Sequence, residues 1–262
     1  MDEATPLDIA HAAMEADLGD DGARLRFYER LADSELFLLL NEEADGDNLS
    51  PEMFDVADGQ FVLVFDREER LTDFAKGSAP YAAISGRILA GMLEGQGIGL
   101  GVNLEVAPSS ILIPADAVQW LLSTLGHAPD EVETAIAEVS APVGLPDVLI
   151  SALDTKLATA GGLAKRAYLV GVTYGDDSRG HLLGFVDVVE GAQGALAKAV
   201  SESLTFSGID AGALDVGFFD GIDQVAVKLA KVGLCFELPK PETKTYQPVI
   251  PGSDPDKPPL LK

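Results

Sequence analysis

The sequence predicts an α/β protein of two domains, each a small mixed sheet packed with helices (α+β mixed sheets). Three observations predict it. Residues 61–122 hold strand-then-helix units. Phe61-Val-Leu-Val-Phe65 runs into Asp66-Arg-Glu-Glu69 with Leu71 and Phe74, and Ile111-Leu-Ile-Pro114 runs into Val118, Leu121 and Leu122. The second half has the order helix, strand, strand, helix, strand, helix, strand, which implies a compact sheet with helices packed on it. Between them, residues 126–146 carry Pro129, Pro142 and Pro146 and read as a joint. A chain of 262 residues suits one large or two small domains, and the joint favours two. The expected division is 1–140 for the first domain with a helical N-terminal extension, 145–238 for the second, and 239–262 for a proline-rich tail.

Thr5-Pro6-Leu7-Asp8 reads as a helix start. The Thr hydroxyl can accept a backbone N–H, Pro fits the first helical position, and Asp favours the positive end of the helix. Ile9, Ala10, Ala13 and Met14 then share one face. His11 has no second His or Cys nearby and is read as a packing or surface residue. A second helix carries Leu25, Tyr28 and Leu31 inward, with Arg24, Arg26 and Glu29 mostly outward. Glu35-Leu-Phe-Leu-Leu-Leu40 is short and continuously apolar, the pattern of a strand buried on both faces. In the acidic connection after it, Asp45-x-Asp47 opens like a calcium loop. Leu49 stands where the third oxygen ligand belongs, so no metal is expected.

Asp66-x-x-Glu69 resembles a capping box with Asp as the cap. Pro80 to Ile84 is a strand, and Ile88, Leu89, Met92 and Leu93 recur at helical spacing. Gly95-Gln-Gly-Ile-Gly-Leu-Gly101 follows a helix rather than a strand and lacks the Gly-Lys-Ser/Thr of a phosphate loop. It is read as a glycine-rich helix exit into a strand. Trp120 flanks an apolar helix face and is expected to pack in the core. Asp130 to Glu138 is an acidic stretch read as helical.

In the second half, Leu149, Ala152, Leu153 and Leu157 form a helix face. Ala167–Thr173 and His181–Val189 flank a turn-rich loop, a β-hairpin signal. Ala192, Leu196, Val200 and Leu204 mark a helix, and Leu214, Val216 and Phe218 a strand. Ile222, Val225, Ala226 and Leu229 mark another helix, and Val232–Phe236 the last strand. That strand holds the lone Cys235, expected to be a buried, inert thiol. Seven of the 15 prolines lie from Pro239 onward, which sets the tail apart as an extended or disordered segment.

Acidic residues outnumber basic ones 43 to 18, for a net charge of −25. A phosphate backbone needs Lys and Arg to release its counterions, so nucleic acid is excluded as a partner. Anionic membrane surfaces are excluded for the same reason. The charge fits a protein partner with a basic face, or a solvated surface that serves solubility. It is concentrated early, since residues 1–60 hold 17 acidic and 3 basic residues. One cysteine permits no intramolecular disulfide, as suits a reducing compartment. Met1-Asp-Glu lacks the basic-then-apolar order of a signal peptide, and no apolar run approaches the ~20 residues of a membrane helix. A cytoplasmic protein without a cofactor is expected.

Phe61–Phe65, Glu68–Phe74, Tyr81 with Gly86-Arg87-Ile88-Leu89, Gly99-Leu-Gly-Val-Asn103 and Ile111–Pro114 with Leu121-Leu122 carry a resemblance. By these residues the chain resembles the SseB family of bacteria, named for enhanced serine sensitivity. Arg166-Ala-Tyr-Leu169, His181-Leu-Leu-Gly184 and Leu214-Asp-Val-Gly-Phe218 resemble that family's C-terminal domain. The N-terminal helices and the tail lie outside the likeness. The family tends to have Asn-Pro where this chain has Asn103-Leu104, which bears on the turn there. The resemblance implies a two-domain α/β protein with no established catalysis and a loose link to a rhodanese-type sulfurtransferase. It supplies no catalytic residues.

The sequence holds no Gly-x-Ser-x-Gly elbow, HExxH helix, Cys-x-x-Cys pair or P-loop. The first reading is therefore a non-enzymatic interaction or regulatory protein that docks its partner through an acidic surface. A second is a small-molecule-binding protein or enzyme whose site is assembled from distant residues. Arg87, Asn103 and Arg179, polar residues beside glycine-rich turns, are its candidate ligand-binding residues. A third is an acidic chaperone-like protein for a secreted client. An uncovered sheet edge would offer a route to a homodimer.

Overall fold

A computed structural model of the protein describes residues 3–46, 48–56, 59–126, 135–209 and 214–240. Asp47 of the calcium-like string, most of the 130–138 stretch and the tail from 241 onward lie outside them. The first half runs α1 (Pro6–Ala16), α2 (Asp21–Asp33), β1 (Glu35–Leu39), β2 (Met53–Val56), β3 (Gly59–Phe65), α3 (Glu68–Ala75), β4 (Tyr81–Ser85), α4 (Gly86–Met92), β5 (Ile98–Val102), β6 (Ile111–Ile113) and α5 (Ala115–Gly126). The second runs β7 (Ile136–Ser140), α6 (Asp147–Thr159), β8 (Arg166–Tyr174), β9 (Arg179–Val186), α7 (Gln193–Phe206), β10 (Asp215–Phe219), α8 (Gln224–Val232) and β11 (Leu234–Glu237). It is a two-domain α/β fold with two open mixed sheets.

The first sheet has the order β4-β1-β3-β5-β6, with β2 also on β3. Only β3 and β5 run parallel; the other pairs are antiparallel. One face carries Leu36, Leu38, Val62, Val64, Leu100 and Val102 against α1, α2, α4 and α5. The other carries Leu39, Leu63 and Phe65 against Leu71 of α3. Alternate residues of β1 and β3 thus enter two different cores, which is why both strands read as continuous apolar runs. The second sheet has the order β10-β9-β8-β11, with β7 also on β8. Helices α6 and α7 cover one face and α8 the other. Phe206 at the end of α7 is buried in the first core, so this helix ties the two halves together.

Two strands escaped the sequence reading. β2 was missed because it is only four residues long and interrupted by Asp55; pairing with β3 holds it. β7 begins where a helix was expected. β11 pairs only with Arg166–Leu169 of β8, and β7 supplies partners for Gly171–Tyr174 on the same edge. Side-chain expectations were corrected too. Ile9 is 62% exposed, and the buried face of α1 is Leu7, His11 and Met14. Trp120 is 40% exposed and stands edge-on to Tyr28 rather than in the core. Cys235 is exposed. Its neighbour Phe236 takes the buried face, and strand alternation turns Cys235 the other way.

The joint between α2 and α4 depends on one glycine. A Cβ at Gly86 would stand 2.0 Å from the Leu31 carbonyl oxygen. Gly86→Ala is expected to lose about 1–3 kcal/mol, read as a lower urea midpoint. Gly91→Ala in the same helix, where nothing lies within 4 Å, should be neutral or slightly stabilising.

Candidate functional site

Residues that follow the parallel strands β3 and β5 carry a polar network. The crevice at the carboxyl ends of strands is where open α/β sheets place ligands. Thr5 caps α1 as the sequence predicts: its hydroxyl accepts from the Asp8 N–H at 3.1 Å, and its own N–H donates to Asp8 Oδ2 at 2.9 Å. Asp66 was expected to cap α3 but does not. Arg67 holds that position with no side-chain cap. The Asp66 carboxylate instead accepts from Arg70 Nη1 at 2.7 Å and from the Thr5 hydroxyl at 2.5 Å. Arg70 also donates to both Asp8 oxygens, at 3.0 and 2.5 Å.

Asn103 completes this network. Its Oδ1 accepts from the Asp66 N–H at 3.0 Å, and its Nδ2 donates to Ser109 Oγ at 2.8 Å. Ser109 in turn donates to Asp8 Oδ1 at 2.5 Å. Asn103 has φ +49°, which Asn tolerates better than most residues. The turn forms with Leu104 in the next position, and that side chain packs beside Leu63 and Phe65. Asp8 accepts four hydrogen bonds, the full capacity of a carboxylate. Burial alone would raise its pKa. Hydrogen bonds from Arg70, Ser109 and the Thr5 backbone outweigh burial and hold it well below the usual carboxylate range. A group so saturated and so firmly ionised positions α1 on the sheet; it has no free lone pair for a substrate or a metal. A cleft of about 600 Å³ adjoins the network, lined by Asp8, Arg67, Glu69, Arg70 and Val106 among others.

A second ionic cluster joins the two halves. Lys156 of α6, with a side chain 7% exposed, lies 2.6 Å from Asp33, 3.0 Å from Glu202 and 3.4 Å from Glu29. Arg87 of α4 donates to both Glu202 oxygens, at 2.7 and 3.0 Å, and to Asp33 at 2.5 Å. Glu29 was read as facing outward, yet it is drawn inward by Lys156 and buries Oε1 without a hydrogen bond. Burial pushes the Glu29 carboxyl up. Burial also opposes ionisation of Asp33 and Glu202, but the cations win there and lower both, through Lys156 first for Asp33 and Arg87 first for Glu202.

The candidate ligand-binding residues therefore sit in separate settings. Arg87 is in the ionic cluster between the halves, Asn103 is buried beneath the β3–α3 junction, and Arg179 is exposed at the start of β9. The partners of Arg87 and of Asn103 have no residue in common. The remaining histidines of the described chain have structural partners: His11 stacks edge-on with Phe27, and His181 Nε2 lies 3.0 Å from the Val143 carbonyl. Among the described residues no three His, Cys, Asp or Glu side chains converge as a metal site, and no helix is long and apolar enough to cross a membrane.

The surface beside β2 is different. Glu42, Glu43 and Asp45 follow β1, and Glu68 and Asp73 project from α3; all are exposed. Carboxylates from both elements act on Tyr81. Partial desolvation, then Glu68 beside it, then Glu43 push that phenol above its ordinary pKa. From residue 31 to 66 the chain has ten acidic residues and no Lys or Arg. Tertiary structure adds the acidic face of α3 to this stretch, a juxtaposition that spacing alone could not reveal.

No curated protein and no solved structure matches the chain. Residues 9–120 match the family model for the SseB protein N-terminal domain. The match begins inside α1 and spans all of α2, so the helices that the sequence reading left outside the likeness belong to it. This match supports an SseB-family assignment for the first half of the chain.

Proposed function

We propose that the protein is a non-enzymatic docking protein of the cytoplasm, which presents an acidic face to a partner protein with a basic surface. The observation that carries this reading is the pair of carboxylates beside Tyr81: Glu43, from the 31–66 stretch that has no Lys or Arg, and Glu68 of α3. The carboxylates Asp8, Asp66, Asp33 and Glu202 are taken up by Arg70, Arg87 and Lys156, so these cations do not offset the surface charge. A patch of one sign steers a complementary partner and rejects like-charged ones. The resemblance to the SseB family suggests a sulfurtransferase-type protein as one such partner.

The test is capture by the full chain at low salt, followed by titration of the purified captured protein. Raising salt from about 0.1 M to about 1 M shortens the screening length from roughly 10 Å to 3 Å. Affinity is expected to fall at least tenfold over that range, and to fall also for the Glu42→Gln/Glu43→Gln/Glu68→Gln variant. An affinity indifferent to both changes would overturn the reading.

A further inference from the structure

We propose that the outer edge of β2 is the docking element, and that it takes an extended lysine- or arginine-bearing segment of the partner as an added strand. The inference rests on the acidic docking reading above and specifies how that face binds. β2 hydrogen-bonds to β3, and among the described residues no strand lies on its other side. An open edge presents unpaired N–H and C=O groups, a template for another strand. Met53 and Val56 on this edge are 38% and 43% exposed and offer apolar contact to the side chains of an incoming strand. Phe54 turns inward and packs on Phe74 with ring centroids 6.2 Å apart, so the strand is anchored to α3.

Charge decides the occupant. Native proteins often guard open edges with lysine. Here the charges at the edge are Glu52 and Asp55, and the chain approaches it through Glu42, Glu43 and Asp45. Carboxylates placed opposite carboxylates repel, whereas lysine or arginine opposite them is favourable. A second copy of this chain, with a net charge of −25, would bring acid against acid. A cationic strand meets both requirements, backbone pairing and charge.

The experiment uses the full chain and three fluorescently labelled eight-residue peptides of equal charge. One alternates Lys and Val, one alternates Lys and Gly, and one is the Lys-Val peptide with its backbone N-methylated at alternate positions. The Lys-Val peptide is expected to bind at low salt at least tenfold more tightly than either of the others, and to shift the amide resonances of residues 53–56. Valine favours extended backbone over glycine, and N-methylation removes the strand-pairing donors without touching charge. Equal binding of all three peptides would overturn strand addition while leaving acidic docking intact. No binding by any of them at low salt would overturn both. Concentration-dependent self-association lost in Val56→Lys would overturn the choice of partner, because the occupant would then be a second copy.

Discussion

Replacing Lys156 by methionine is expected to lower stability by about 3–5 kcal/mol, the usual consequence of removing one partner from a buried ion pair. The side chain it leaves behind is of similar length, so packing changes little. What changes is that Glu29, Asp33 and Glu202 remain gathered beneath the α2–α7 contact with Arg87 alone to balance them. A urea titration read by fluorescence and by circular dichroism would measure the loss. Lys228→Met on the exposed side of α8 is the control and should stay within about 0.5 kcal/mol of the parent.

The same cluster fixes the sign of a pH effect. Glu29 has its pKa raised in the fold, so the native state binds that proton more tightly than the unfolded chain does. Its contribution is fully present below the ordinary glutamate range and is lost as pH rises through the raised folded value. Asp33 and Glu202 have lowered values; their contributions are present above the ordinary carboxylate range and are lost as pH falls through the folded values. Glu29→Gln therefore should not destabilise the protein at neutral pH and should flatten the decline on the alkaline side. Asp33→Asn should destabilise at neutral pH and blunt the loss in acid.

Arg70→Met is the second large expected effect, again about 3–5 kcal/mol. Arg70 is the cation shared by Asp8 and Asp66, whose side chains are 4% and 5% exposed. Without it, two buried carboxylates face one another across the α1–α3 contact. The double variant Arg70→Met/Asp8→Asn tests the assignment. Removing one of the stranded charges should recover part of the loss, so the two substitutions should fall short of additivity. Strict additivity would mean that Arg70 and Asp8 act independently, against the 2.5 Å contact between them. Because α1 is pinned by this network, amide exchange in Pro6–Ala16 should quicken more in Arg70→Met than in α5 of the same variant.

Periodicity and punctuation determined most of the architecture. The capping pattern Thr5-Pro6-x-Asp8, the apolar runs of β1 and β3, the glycine-rich exit into β5 and the β8–β9 hairpin are local signals, set by backbone sterics and by which side chains alternate. The net charge, likewise additive along the chain, underlies the proposed class of partner. Three things were decided by tertiary structure alone. β2 and β7 are too short and too polar to declare themselves, and they are strands because β3 and β8 had free backbone groups to satisfy. Asp66 reads as a cap, but Arg70 and Thr5 outbid the local N–H groups for its carboxylate, since a buried charge pairs with the strongest donor in reach. Glu29 and Lys156 stand 127 positions apart and meet only when two domains pack. Helical spacing tells which residues share a face; it does not tell what that face will meet, because the partner's position is set by the burial of the whole core.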